Sequence, residues 1–365
     1  MLPIAAFYWD PQPEIFTIPI LQLPIFWYGL FFAAGFAIGF PLFHSLVYRF
    51  FLNRPDYIEA DLVAPISLAK ANLTGREPLS ALNGAIEEEK DLSSLIDSTT
   101  SHRLQTKVDA SRCFRPKRAM CRLILDTLFS PALLSVSKKA MIISDRITMY
   151  MIVSTVIGAR LGHFIFYERP SSYLSQPWEI FRVWEGGLAS HGAAVGIVLG
   201  LVLFARRYKR MAEGLTPLRL LDFVCVPTAF AAGCIRIGNF FNQEILGTPT
   251  DLPWGVVFGH PMDRSFPLLR HPVQLYEAFF YFFVFILLWR LSYRPIYLLA
   301  KGRLIGIFLI LVFGFRFFIE FFKTEQSFLL SKASYLTMGQ ILSVPAMVVG
   351  CILLYLSRKR YTASS

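Results

Sequence analysis

An apolar run over residues 220–235 ends in Arg236-Ile237-Gly238-Asn239-Phe240-Phe241-Asn242-Gln243-Glu244-Ile245-Leu246-Gly247. With its flanks the run is long enough to cross a bilayer as a helix. A spanning helix normally ends in aromatic or basic anchors. This one ends in a guanidinium, several amides and a carboxylate between glycines, all within about three helical turns. Charges beside hydrocarbon cost on the order of 3 kcal/mol each, so the stretch reads as a site. The plainer alternative is an interfacial arginine followed by an Asn/Gly loop.

The rest of the chain supports the membrane reading. Of 365 residues, 55% are hydrophobic, 35 are Phe and 17% are charged, with mean hydropathy +0.49, which no ordinary soluble domain matches. A net charge of +11 would point to nucleic acid in a soluble protein; here it fits basic loops facing anionic lipid, and no nucleic-acid partner is expected. The five cysteines, Cys113, Cys121, Cys225, Cys234 and Cys351, form no CxxC pair, so neither a disulfide framework nor a metal site is indicated.

Residues 1–22 carry Pro3, Pro11, Pro13 and Pro19 and lack a basic start; they read as an arm at the interface rather than a cleaved signal peptide. The expected spans are residues 23–47, 142–166, 188–204, 218–237, a fifth ending near Leu291, 304–322 and 341–356. Gly29, Gly35 and Gly39 in the first suit close helix packing. Between the first two spans, residues 49–141 mix charges, Ser and Thr, with Glu87-Glu88-Glu89 and a basic group from Arg112 to Arg122. That stretch predicts a soluble or surface-bound insertion with a short amphipathic helix over 119–134. The expected organisation is an arm and first span (1–48), a basic cytoplasmic insertion (49–141) and a transmembrane core (142–365). The fold class is all-α, a polytopic membrane helix bundle of about seven spans.

Lys and Arg concentrate after spans one, three, five and seven, which puts the N-terminus outside and the C-terminus inside. Tyr28, His191, the stretch from Arg236 to Gly247, the stretch from His271 to Glu277, and Arg316 with Glu320 then all fall at outer helix ends. Five spans contribute at one depth, as a shared pocket requires. Two guanidiniums, Arg236 and Arg316, with Asn239 beside them can fork onto a phosphate. Glu244 and Glu320 can orient the arginines or bind hydroxyls, and a neutral imidazole can take a proton near pH 7. Plainer roles stand beside these: an interfacial aromatic for Tyr28, packing for His191, an ion pair for Arg316 and Glu320, a helix cap for His271 to Glu277. No third ligand accompanies His271 and Glu277, so no metal is expected. The residues alone lead to an outward-facing site for an anionic headgroup.

The signature from Arg236 to Gly247 resembles that of the prolipoprotein diacylglyceryl transferase family. Trp27-Tyr28-Gly29, Ala159-Arg160-Leu161-Gly162, Glu185-Gly186-Gly187 through His191-Gly192, Arg270-His271-Pro272-Val273-Gln274-Leu275-Tyr276-Glu277 and Gly314 to Lys323 match further family stretches in order. The greater part of 49–141 is expected to have no family counterpart. Departures are Ser190 and Ala193 around the histidine, Ile235 before Arg236, and Lys323 where the family commonly has Arg.

The resemblance implies diacylglyceryl transfer from phosphatidylglycerol to the lipobox cysteine in a prolipoprotein signal peptide. It implies a bacterial inner-membrane location, a periplasm-facing site and no cofactor. It also implies His191, Arg236 and Arg316 as catalytic residues. Tyr28, Asn239, Glu244, Gly247, His271, Gln274, Tyr276, Glu277 and Glu320, with Arg236, are implied to contact substrate. A transporter would show charges at mid-membrane and repeat symmetry, and neither is seen. A lipid-binding scaffold is separated from an enzyme by turnover.

Overall fold

The computed structural model describes residues 7–19, 22–53, 136–167, 189–209, 214–324 and 336–362, with Trp178, Arg182, Gly187 and Ala212. The expected amphipathic helix at 119–134, most of the insertion, and Glu185 and Gly186 lie outside the described residues. Among the described residues eight helices follow in order: α1 (Trp27–Leu52), α2 (Val136–Tyr167), α3 (Ser190–Arg207), α4 (Pro217–Phe241), α5 (Val273–Leu291), the short α6 (Pro295–Leu298), α7 (Arg303–Ile319) and α8 (Met338–Thr362). A 3-10 turn, Glu320–Phe322, continues α7.

Six of these are long and apolar enough to cross a membrane: Trp27–Leu52, Lys139–Tyr167, Pro217–Phe241, Val273–Leu291, Arg303–Phe322 and Met338–Arg358. The expected third span is α3, whose 18 residues include a His near one end and two Arg at the other. It is a helix where one was expected, but it is not among those six. Large apolar side chains point outward from the bundle, Ile165, Phe36 and Phe279 among them. In a soluble protein such a surface would be a liability; against acyl chains it is the favourable one.

The centre of the bundle is α4, which packs against α1, α5, α7 and α3. Leu220, Phe223 and Val226 of α4 are fully buried with Leu46 and Phe51 of α1, Val284 and Leu288 of α5 and Leu304 of α7. Local chemistry sets where α4 starts: Thr216 accepts the Arg219 amide at 3.4 Å, with Pro217 in the first turn. At the same end, buried Asp222 accepts the amides of Gly302 at 2.6 Å and Ile305 at 2.9 Å, capping α7. Arg219 donates to the carbonyls of Leu298 and Leu299. These bonds fix the ends of α6 and α7 on α4 far from the Arg236 stretch.

At the opposite end lie two small sheets, which the sequence reading did not place. β1 (Phe7–Trp9) runs parallel to β4 (Val256–Phe258), which pairs antiparallel with β5 (Leu269–Arg270). β2 (Glu14–Ile18) and β3 (Leu23–Phe26) form a hairpin. The N-terminal arm is thus stitched to the loop between α4 and α5.

Small residues decide the closest helix contacts. Gly35 and Gly39 of α1 face Ala231 and Pro227 of α4, whereas Gly29 faces no described atom within 4 Å. Between α2 and α3, a Cβ on Gly192 would meet the Gly158 carbonyl, and one on Gly196 would meet that of Ser154. The two backbones touch, as small-residue stripes allow. Gly196→Val is therefore expected to lower stability by about 1–3 kcal/mol, read as a lower thermal midpoint in detergent, while Gly29→Ala leaves the midpoint unchanged. A midpoint unmoved by Gly196→Val would show that the α2–α3 contact is not so close.

Candidate active site at one end of the bundle

Arg236 stands in the last two turns of α4, and its partner comes from the first turn of α5. Arg236 Nε lies 3.1 Å from Glu277 Oε2, an ion-pair contact without hydrogen-bond alignment. Glu277 is fully buried, and its other oxygen is 2.8 Å from Lys323 Nζ and accepts from Tyr281 Oη at 3.3 Å. One carboxylate therefore lies between two cations, one on α4 and one in the extended segment after α7. Burial pushes the Lys323 ammonium down from the ordinary lysine value, and Glu277 pulls it back up.

Lys323 is delivered by backbone pairing. Gly247 and Lys323 form an isolated antiparallel bridge, with Thr248 N donating to Phe322 O at 2.8 Å and Thr324 N to Leu246 O at 3.1 Å. A Cβ at Gly247 would meet the His271 carbonyl, so the bare backbone is what lets three segments converge. Buried Arg270 secures the same point, Nη1 donating to Gly247 O at 3.1 Å and Nη2 to Ser265 Oγ at 3.1 Å.

The amide side of the site is a relay. Arg236 Nη1 donates to Asn239 Oδ1 at 3.2 Å, and Asn239 Nδ2 donates to Glu244 Oε1 at 2.7 Å. Asn242 Nδ2 adds a longer bond to the same oxygen, and Gln274 Nε2 donates to the Glu244 carbonyl at 2.8 Å. Glu244 orients Asn239, and Asn239 orients the guanidinium.

The other expected residues are placed as follows. Tyr28 packs its ring on Gly238, within electrostatic range of Glu244 and Arg236. His271 stacks edge-on against Phe322 and lies 3.4 Å from Tyr276 Oη, which also accepts from Trp254 Nε1 at 2.9 Å. Arg316 and Arg236 both act on Tyr281. Arg316 makes no ion pair with Glu320; its Nε is buried without a hydrogen-bond partner. Glu320 instead lies 3.7 Å from Lys323 and packs on Gly339 of α8. His191 is exposed at the head of α3, its ring against Phe166 and Tyr167 of α2. No hydrogen bond or ion pair among the described residues ties it to Arg236, Arg316 or Glu277.

Sequence reasoning treated Lys323 as a departure and passed over Gln243 and Arg270 as individual residues. All three sit within quoted motifs, and their burial would have been the signal. Chemically the cluster offers two guanidiniums, an ammonium and an oriented amide at one bundle end, a set suited to an oxyanion. Glu277→Ala leaves Arg236 and Lys323 without their shared counter-charge and is expected to destabilise by ~3–5 kcal/mol. Adding Lys323→Met should restore part of the loss, measured by denaturation in micelles. A double variant as unstable as the sum of the singles would show that the pair is not coupled.

The profile of the prolipoprotein diacylglyceryl transferase family matches residues 127–356. A phosphatidylglycerol–prolipoprotein diacylglyceryl transferase of Protochlamydia amoebophila is 38% identical over 363 residues, 96% of this chain and 95% of the relative. Proteins of the same name from Tolumonas auensis and Chlamydia pneumoniae are 45% and 44% identical, covering 59% and 60% of this chain and 79% and 77% of their own lengths. The Protochlamydia match extends through most of 49–141, so that segment has a counterpart in at least one relative, contrary to the expectation from sequence. This polytopic membrane protein belongs to the prolipoprotein diacylglyceryl transferase family of transferases.

Proposed function

We propose that the protein transfers the diacylglyceryl group of phosphatidylglycerol to the lipobox cysteine of a prolipoprotein signal peptide. It acts in the bacterial inner membrane, with its N-terminus and site on the periplasmic side and the 49–141 insertion on the cytoplasmic side. The cysteine sulfur attacks the glyceryl carbon bonded to the phosphate oxygen. A C–S bond forms, the C–O bond breaks, glycerol-1-phosphate leaves with the electron pair, and the thiol proton passes to a base. The developing charge is on phosphate oxygen, where preorganised cations act most strongly.

The observation that carries this reading is the set Arg236, Arg316 and Lys323 at one end of the bundle, with no carboxylate partner for Arg316 among the described residues. Arg236 and Arg316 hold the phosphate, Asn239 assists, and Glu244 and Glu320 fix geometry. Glu277, locked between cations, sets Arg236 rather than meeting solvent. Tyr28, Gln274, Tyr276 and the Gly247 backbone line the approach of the headgroup or peptide.

His191, implied to be catalytic by the resemblance, is one candidate for taking the thiol proton. The geometry favours a second reading, because His271 lies against Gly247 and Phe322 beside Lys323. An imidazole base loses its activity as it protonates below neutrality, giving an acidic limb in the rate profile. Comparing His191→Gln and His271→Gln across pH identifies the base as the one whose removal abolishes that limb.

The direct test is a reconstituted assay with phosphatidylglycerol labelled in its diacylglyceryl group and a synthetic lipobox peptide. Label should reach the cysteine peptide and not its Cys→Ser version. Arg236→Ala should lose at least about a hundredfold in rate while still accumulating in the membrane. A folded, lipid-binding protein without turnover would favour a scaffold instead.

A further inference from the structure

The loop after α4 holds two non-glycine residues in the left-handed region, Gln243 at φ 51 and Ile245 at φ 58. They flank Glu244, the carboxylate that orients Asn239. Side chains with a Cβ avoid this region unless surroundings enforce it.

The enforcement acts on Gln243, which is 3% exposed. Its Nε2 donates to Asp10 Oδ1 at 3.1 Å, and its Oε1 accepts from His260 N at 2.8 Å. Its carbonyl accepts from Met262 N at 3.0 Å. Asp10 Oδ1 also lies 2.7 Å from His260 Nδ1, so the arm and the β4–β5 loop meet on one glutamine. The arm cannot slide: β1 pairs with β4, Trp9 Nε1 donates to Phe240 O at 3.1 Å, and the Trp9 ring stacks on Phe240. A Cβ at Gly259 would meet Asp10 and the Tyr8 hydroxyl. The turn so held lets Glu244 N donate to Asn239 O at 3.1 Å while its carboxylate folds back onto the Asn239 amide.

We infer that Gln243, clamped between Asp10 of the N-terminal arm and the backbone of His260, is a positioning residue that aims Glu244 at Asn239 and so sets Arg236 for transfer. The inference rests on the proposed transferase reading. It makes the arm part of the catalytic frame although no hydrogen bond or ion pair among the described residues joins the arm to Arg236.

The test uses the full-length protein in proteoliposomes with Asp10→Ala, Asp10→Asn and Gln243→Gly. Glycine at 243 keeps the left-handed turn accessible but removes both ties; Asp10→Ala sits on a partly exposed edge and leaves the core intact. Both should lower kcat about tenfold, the scale of a small misplacement of a reacting group, with KM for phosphatidylglycerol and thermal midpoint held. Asp10→Asn, whose amide oxygen still accepts from Gln243, should stay near wild type. Hydrogen exchange at residues 243–246 should quicken in Asp10→Ala, whatever the turnover.

Unchanged kcat in Asp10→Ala and Gln243→Gly, or exchange unmoved by Asp10→Ala, overturns the inference while leaving the transferase reading in place. Asp10→Asn falling as far as Asp10→Ala overturns the hydrogen-bond clamp. Absence of transfer by the wild type defeats the transferase reading, and the exchange measurement then still decides whether the arm holds the loop.

Discussion

The site depends on one buried carboxylate. Glu277 has no exposed surface, and its two oxygens face Arg236 and Lys323. A lone buried charge there would lack any partner to offset its desolvation, and two lone cations would repel. Held together, the three groups fix the distance between the end of α4, the start of α5 and the segment after α7. Glu277 is shared by Arg236 and Lys323, and Glu320 lies 3.7 Å from Lys323, so the cation left without a carboxylate partner among the described residues is Arg316. The helix packing below it matters because it brings those three chain segments within reach.

How much of this was legible depends on the range of each interaction. Helix positions came through because hydrocarbon contact demands long apolar runs, and those are local. The anomaly of Arg236, Asn239 and Glu244 at a span's end was equally local, and the structure joins these three residues by hydrogen bonds. Glu277 stood in a quoted motif, but its pairing with Arg236 crosses from α4 to α5, and no periodicity encodes that. Lys323 was harder still. Its place follows from the bridge to Gly247, a pairing of two residues far apart in sequence, so a lysine looked like a lost fork rather than a buried partner. The alternative of an Arg316–Glu320 ion pair is not realised: the Glu320 amide still donates to the Arg316 carbonyl, but its carboxylate lies toward Lys323 at 3.7 Å.

The α2–α3 pair follows a different logic. Gly158, Gly162, Gly192 and Gly196 bring these backbones into contact, a solution that uses packing where lipid offers no hydrophobic drive. His191 opens α3 at the edge of this pair, among aromatic rings of α2. The sequence suggested a depth for His191 shared with Arg236 but could not tell shared depth from contact. Depth follows from hydropathy; contact depends on the rotation of each helix, which small-residue stripes set and charge patterns do not.

Loops form the working end of this bundle, and that is a problem for catalysis in a membrane. The proposed substrate is a phospholipid whose acyl chains favour the bilayer, which leaves its headgroup to be met by groups already in place. The donors must be preorganised from behind. Here the support is a strained turn at Gln243 and Ile245, a two-residue backbone pairing at Gly247, and an arm stitched to that turn and to β4. Strain of this kind persists because its surroundings over-determine it, and a glycine at 243 would relieve it while loosening the aim of Glu244. A site open to lipid on one flank can thus be held rigid from the aqueous flank.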